Sequence, residues 1–135
     1  MDDVEELIIE ALQKMSTVAL RRKWSSTTLW TSRVKQAIVD VGEQHYFCLT
    51  AANGCHSYQR KEWLYDVVWY LQDKTGYTID VPFVVEIEWN HNGINGLRED
   101  FEKLLVACAK YRVMIFDAPD EYRIRERITH IRSWI

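Results

Sequence analysis

An α/β fold is what this sequence predicts. Segments with apolar residues at helical spacing flank a block of segments rich in β-branched and aromatic residues. That block holds two long apolar runs, Glu62–Leu71 and Val81–Asn90, separated only by the turn-forming Gln72-Asp73-Lys74-Thr75-Gly76. The 135 residues, 47% hydrophobic and 13% aromatic, suffice for one buried core, so a single domain over 1–135 is expected and disorder is not.

Asp3 to Trp24 reads as a helix, because Val4, Leu7, Ile8, Ala11, Leu12, Met15, Val18 and Ala19 recur at i, i+3, i+4. Acids at its start and Arg21-Arg22-Lys23 at its end suit the helix dipole, and those bases are read as a solvated helix end. After the polar break Ser25–Thr28, a second helix is expected from Trp30 to Val41, capped by Thr31 or Ser32 and terminated by Gly42. Tyr46–Thr50 is a short strand, and Asn53-Gly54 marks a turn. The two long strands come next. His91–Gly96 reads as a glycine-punctuated loop without a phosphate-loop pattern. A helix from Leu97 to Tyr111 would bury Phe101, Leu104, Leu105, Cys108 and Tyr111. Val113–Phe116 is a buried strand. Asp120–Ile135 is a last helix with Arg123, Arg125, Arg127 and Arg132 on a solvated side, and its pattern runs to the final residue without a visible cap. The order is helix, helix, strand, strand, strand, helix, strand, helix.

Charge and cysteines narrow the function classes. A net charge of −3 and a pI of about 5.8 lean against a general polyanion binder but not against an enzyme with an acidic site. Cys48, Cys55 and Cys108 form no CxxC pair and no zinc spacing, as expected of free thiols in a reducing cytoplasm. The N-terminus lacks a signal-peptide core and no apolar run approaches membrane-spanning length, so no membrane partner is expected. Trp63, Trp69 and Trp89 are read as core under helices rather than as a base-stacking platform.

The two long strands carry acid in their middles. Alternation puts Val84, Glu86, Glu88 and Asn90 on one face and Phe83, Val85, Ile87 and Trp89 on the other. In the first strand Glu62, Leu64, Asp66, Val68 and Tyr70 share a side, with Trp63, Tyr65, Val67 and Trp69 opposite as a packed face. A hairpin would let Asp66 lie beside Glu86. Buried carboxylates cost several kcal/mol each unless offset, and a divalent cation is a usual offset. The plain alternative is that these acids line one solvated face of an antiparallel sheet.

The middle of the chain, αβββαβ with Asp66 in the second strand, Glu86-Ile87-Glu88 in the third and Asp100 and Lys103 on the following helix, resembles the PD-(D/E)XK or restriction-endonuclease-like nucleases. The resemblance spans roughly residues 30–116 and rests on topology and a few residues. It implies a mixed central sheet flanked by helices, with extra N- and C-terminal helices. It also implies Mg²⁺ or Mn²⁺ held by Asp66, Glu86 and the Ile87 carbonyl, and hydrolysis of phosphodiester bonds in nucleic acid, DNA before RNA, in restriction, defence or repair. The usual third-position lysine is replaced by Glu88, so either Glu88 or a lysine moved to Lys103 would handle the attacking water. Lys61, Arg60 and the C-terminal arginines are candidate phosphate contacts. Glu43 is a minor candidate for an accessory acid, and a homodimer would fit the family. The other reading is a catalytically inactive module of the same fold that binds protein or nucleic acid, favoured by the acidic pI and the missing lysine at position 88.

Overall fold

Two helices, a three-strand meander, a crossover helix, a fourth strand and a final helix follow one another in the order that the periodicities predict. The structure, a computed structural model, describes residues 3–89 and 93–135. Helix α1, Val4–Arg22, buries Val4, Ile8 and Ala19. Helix α2, Thr27–Tyr46, begins earlier than predicted, because the Ser26 hydroxyl accepts the Leu29 N–H at 3.3 Å and so forms the cap assigned to Thr31 or Ser32.

The end of α2 is a second correction. Gly42 does not terminate the helix, which runs four residues further to a left-handed Phe47. Gly42 is there for closeness, since a Cβ at this position would stand 2.6 Å from the Trp69 indole. Packing rather than backbone freedom selects the glycine.

Strands β1 (Leu49–Ala51), β2 (Val67–Gln72), β3 (Thr78–Glu88) and β4 (Tyr111–Phe116) form one mixed sheet in the order β1-β2-β3-β4. The first two pairings are antiparallel, while β3 and β4 are parallel. The parallel pair needs a crossover, which helix α3, Gly93–Leu105, supplies. Helix α4, Glu121–Trp134, starts on Asp120, whose carboxylate accepts the Arg123 N–H. Among the described residues no helix is long and apolar enough to cross a membrane.

The short strand expected from Tyr46 starts only at Leu49, because α2 takes Tyr46, and three further boundaries shift. The strand expected over Glu62–Leu71 is strand only from Val67, because the chain folds on itself just before. The Tyr65 N–H bonds the Trp63 carbonyl at 2.8 Å around Leu64, whose φ is 68°. That three-residue turn breaks the alternation. Trp63 and Tyr65 therefore pack with Val68 and Tyr70, not with Val67 and Trp69. Secondly, Gly93 to Gly96, expected as loop, are the first turn of α3, while Asn90, His91 and Asn92 lie outside the described residues. Thirdly, α3 stops at Leu105 rather than at Tyr111. Tyr111 is drawn into extended pairing opposite Phe83, and Leu105 and Cys108 are exposed instead of buried. Ladder formation here outweighs helix propensity.

The sheet separates two cores. On one face Val67, Trp69, Phe83, Val85 and Ile87 pack under α1 and α2, with Trp69 and Phe83 stacked at a centroid distance of 4.0 Å. On the other face Val68, Tyr70 and Val84 meet Leu104 and Ala109. Helix α4 rests on α3 through the Phe101–Trp134 ring contact and buries none of its residues.

Candidate carboxylate site at one end of the strand pair

The register of β2 against β3 builds the site. Val68 stands opposite Val84 and Val67 opposite Val85, so one residue further the same register sets Asp66 opposite Glu86. Asp66 extends across the gap, where its Oδ2 accepts the Ile87 N–H at 2.7 Å. Glu86, on the α3 side of the sheet with Val84, is only 2% exposed. Lys103, nearly three turns into α3, sets its Nζ 2.5 Å from Glu86 Oε1. The Lys103 ammonium also lies over the Tyr65 ring, and the Tyr65 hydroxyl donates to the Lys103 carbonyl. Glu88 is half-buried, and its Oε1 is buried without a hydrogen-bond partner. Asp100, one turn before Lys103 on α3, is close enough to Glu88 for the two carboxyls to perturb each other.

Sequence reasoning thus brought together Asp66, Glu86, Glu88, Asp100 and Lys103, and the structure places them in one cluster. It overlooked Lys35. This lysine of α2 is 6% exposed. Its Nζ bonds Asn53 Oδ1 at 2.9 Å and stands 4.0 Å from Asp66 Oδ1. A signal existed: Lys35 lies three and four residues before the buried Ile38 and Val39, on the flank of the apolar stripe.

Crowded carboxyls perturb one another. Burial pushes Glu86 up to about 8; the Lys103 ammonium opposes that and the neighbouring Asp66 and Asp100 reinforce it. Burial likewise lifts Asp100 to about 7, helped by Glu88 and Asp66 and opposed by Lys103. For Lys103 burial favours the neutral amine, but the hydrogen bond and charge of Glu86, with Asp100 and Asp66 behind it, outweigh that and hold the group above its ordinary value. Burial and crowding thus hold protons on Glu86 and Asp100, and a bound cation would favour their ionised forms.

The donor chemistry suits a hard cation. Asp66, Glu86 and the Ile87 main chain offer oxygen ligands of the kind Mg²⁺ and Mn²⁺ take. Among the described residues no three His, Cys, Asp or Glu side chains converge into a ready-made metal cage, so main chain and water would complete any shell.

The remaining candidates lie elsewhere or are engaged otherwise. Glu43 accepts the Thr50 hydroxyl at 2.5 Å and takes no part in the cluster. Arg123 and Arg125 pair with Glu126 and Glu121 of their own helix. Arg60 and Lys61 are exposed in the loop before β2. Trp89 donates its indole N–H to the Thr31 hydroxyl at 2.7 Å. No family model, curated protein or solved structure matches this chain.

Proposed function

We propose that the chain is a divalent-metal-dependent nuclease of the restriction-endonuclease-like type that hydrolyses phosphodiester bonds of DNA. One observation carries the reading: Asp66, just ahead of β2, accepts the Ile87 N–H beside Glu86 on β3, and a lysine from the following helix closes on Glu86. In this reading Asp66, Glu86 and the Ile87 carbonyl hold the Mg²⁺ or Mn²⁺, which when bound supplies positive charge at the scissile phosphate and acidifies a water. The chain's own residues do the rest. Asp66 is pinned by the Ile87 N–H, so its free oxygen is fixed in direction. Lys103, with half of its side chain exposed, is free to swing from Glu86 to an incoming phosphate oxygen or water. Glu88, with a buried oxygen that makes no hydrogen bond, is the acceptor for the proton of the attacking water.

A second reading, an inactive module of the same architecture, draws on the ion pair that already closes Lys103 onto Glu86. Cleavage of plasmid and single-stranded DNA in Mg²⁺ and in Mn²⁺, beside Asp66→Asn and Glu86→Gln, separates the two. Metal-dependent cutting that falls about a hundredfold or more in both variants is expected. Well-folded protein that cuts nothing in either metal, or a Glu86→Gln variant that cuts as before, would sink the nuclease reading.

A further inference from the structure

A second polar feature adjoins the carboxylates on the α2 side. A groove of about 280 Å³ opens between the start of α2 and the Asn53-Gly54 turn. Thr28, Thr31 and Ser32 line it from the helix, and Lys35 forms its buried floor. Among the described residues no acidic side chain lines it, although Asp66 stands behind Lys35, and the first turn of α2 contains no acid. The wall is anchored on both sides: the Ser32 hydroxyl donates to the Gly54 carbonyl at 2.7 Å, and the Thr31 hydroxyl receives the Trp89 indole N–H.

Lys35 is the unusual part. An ammonium has three donors, and burying one is costly unless they are met. Here one donor is well met, by Asn53 Oδ1 at 2.9 Å. The Asn53 carbonyl is at the limit, 3.5 Å. The nearest negative charge, Asp66 Oδ1, is 4.0 Å away, beyond hydrogen-bonding range, while the other Asp66 oxygen is committed to Ile87. A lysine kept only as a counter-ion to Asp66 would close that gap. This one leaves charge and donor capacity at the floor of a groove lined by hydroxyls, the chemistry that receives an oxyanion.

We propose that this groove is a phosphate-binding subsite, with Lys35 as its cation, that seats the backbone phosphate adjacent to the scissile one. The anion-binding part stands on the groove alone; the adjacency rests on the nuclease reading. Lys35 bridges the two features by lying between Asn53 and Asp66, so a strand with one phosphate at the carboxylates would pass its neighbour to the groove.

Trp89 reports on the groove wall. In metal-free protein, the indole ¹⁵N–¹H signal of Trp89, assigned through Trp89→Phe, is expected to move saturably as inorganic phosphate is added, while that of core Trp69 stays. Lys35→Met is expected to weaken phosphate about tenfold or more. Asn53→Asp keeps the ammonium paired and the fold intact if Lys35→Met does not fold, and by neutralising the ammonium's charge it should abolish the shift. No movement of the Trp89 signal, or an equal movement in folded Asn53→Asp, overturns the subsite.

The adjacency is read from binding of oligonucleotides carrying one methylphosphonate each, in Ca²⁺. One position is expected where neutralising the phosphate costs the wild type about tenfold and costs Asn53→Asp nothing. Additive losses at every position, or no oligonucleotide binding, overturn the adjacency. Phosphate binding at Lys35 without DNA cutting would overturn the nuclease reading and leave the subsite standing. Cutting that depends on Glu86 without a Trp89 shift would do the reverse.

Discussion

The two faces of the sheet use the same strand for opposite purposes. Along β3, Phe83, Val85 and Ile87 enter an apolar core beneath α1 and α2, while Val84, Glu86 and Glu88 face α3 and lead from packing into charge. The first face is close-packed enough that Gly42 has no room for a methyl group beside Trp69. The second holds four carboxyls and a lysine where apolar side chains would have been cheaper. Stability is thus concentrated on one side and chemistry on the other, with the strand's period of two keeping them apart.

The largest test of that division falls on the packed face. Trp69 is fully buried, stacked on Phe83 and in contact with Tyr46. Trp69→Ala is expected to destabilise by about 3–5 kcal/mol in urea unfolding. A loss near 1 kcal/mol would mean that the α1–α2 face does not carry the stability assigned to it.

The charged face is expected to behave oppositely, with stability limited by its own carboxyls. Glu86 holds its proton more tightly in the folded chain, at about 8, than its ordinary value of 4.5. Between those values the folded state binds more protons than the unfolded one, so metal-free stability is full below about pH 4.5 and declines as pH rises towards 8. Asp100, raised to about 7, acts in the same direction. In chelator, unfolding free energy is expected to fall by about 2–4 kcal/mol from pH 5 to pH 8, and Glu86→Gln should flatten most of that slope. A wild-type profile that is flat or rises over this range would show that the Lys103 pair already compensates the buried charge.

Gly42→Ala brings the comparison back to the packed face with a single methyl group. The added Cβ meets the indole at 2.6 Å, and the expected cost is about 1–3 kcal/mol despite the better helix propensity of alanine. A stabilised variant, read from its melting temperature, would place slack between α2 and Trp69 that the distances do not contain.

What could be read in advance follows the same division. Element order and the nearness of Asp66 to Glu86 were legible because they rest on local signals, strand-forming runs, a short turn and a period of two, whereas the mixed sheet was expected only from the family resemblance. Lys103 was legible as a lysine able to reach Glu86 from the next helix. Lys35 was marked only by its place on the flank of the apolar stripe, because its burial depends on the Asn53 turn, eighteen residues on, reaching its ammonium. The true end of α2 was hidden for a similar reason, since Gly42 looks like a helix stop until Trp69 is placed against it. The phase of Trp63 and Tyr65 was misread because a leucine with positive φ leaves no mark in composition.

That leucine supports the smallest prediction, and it bears on how the charged face is aimed. Leu64 occupies the left-handed region at φ 68° with its side chain 73% exposed, two residues before Asp66. A branched-chain residue there stores backbone strain of about 1–2 kcal/mol with little burial to offset it. Glycine would remove the strain but loosen the unfolded chain by about 0.4–1 kcal/mol, so Leu64→Gly is expected to be stabilising by about 0.5 kcal/mol. Leu64→Val, stiffer at Cβ, should instead destabilise by about 1 kcal/mol. If both variants destabilise equally, the leucine side chain itself is engaged and the turn is held by contact. If only valine does, the turn is a strained hinge whose geometry sets the strand phase, and with it the approach of Asp66 to Glu86.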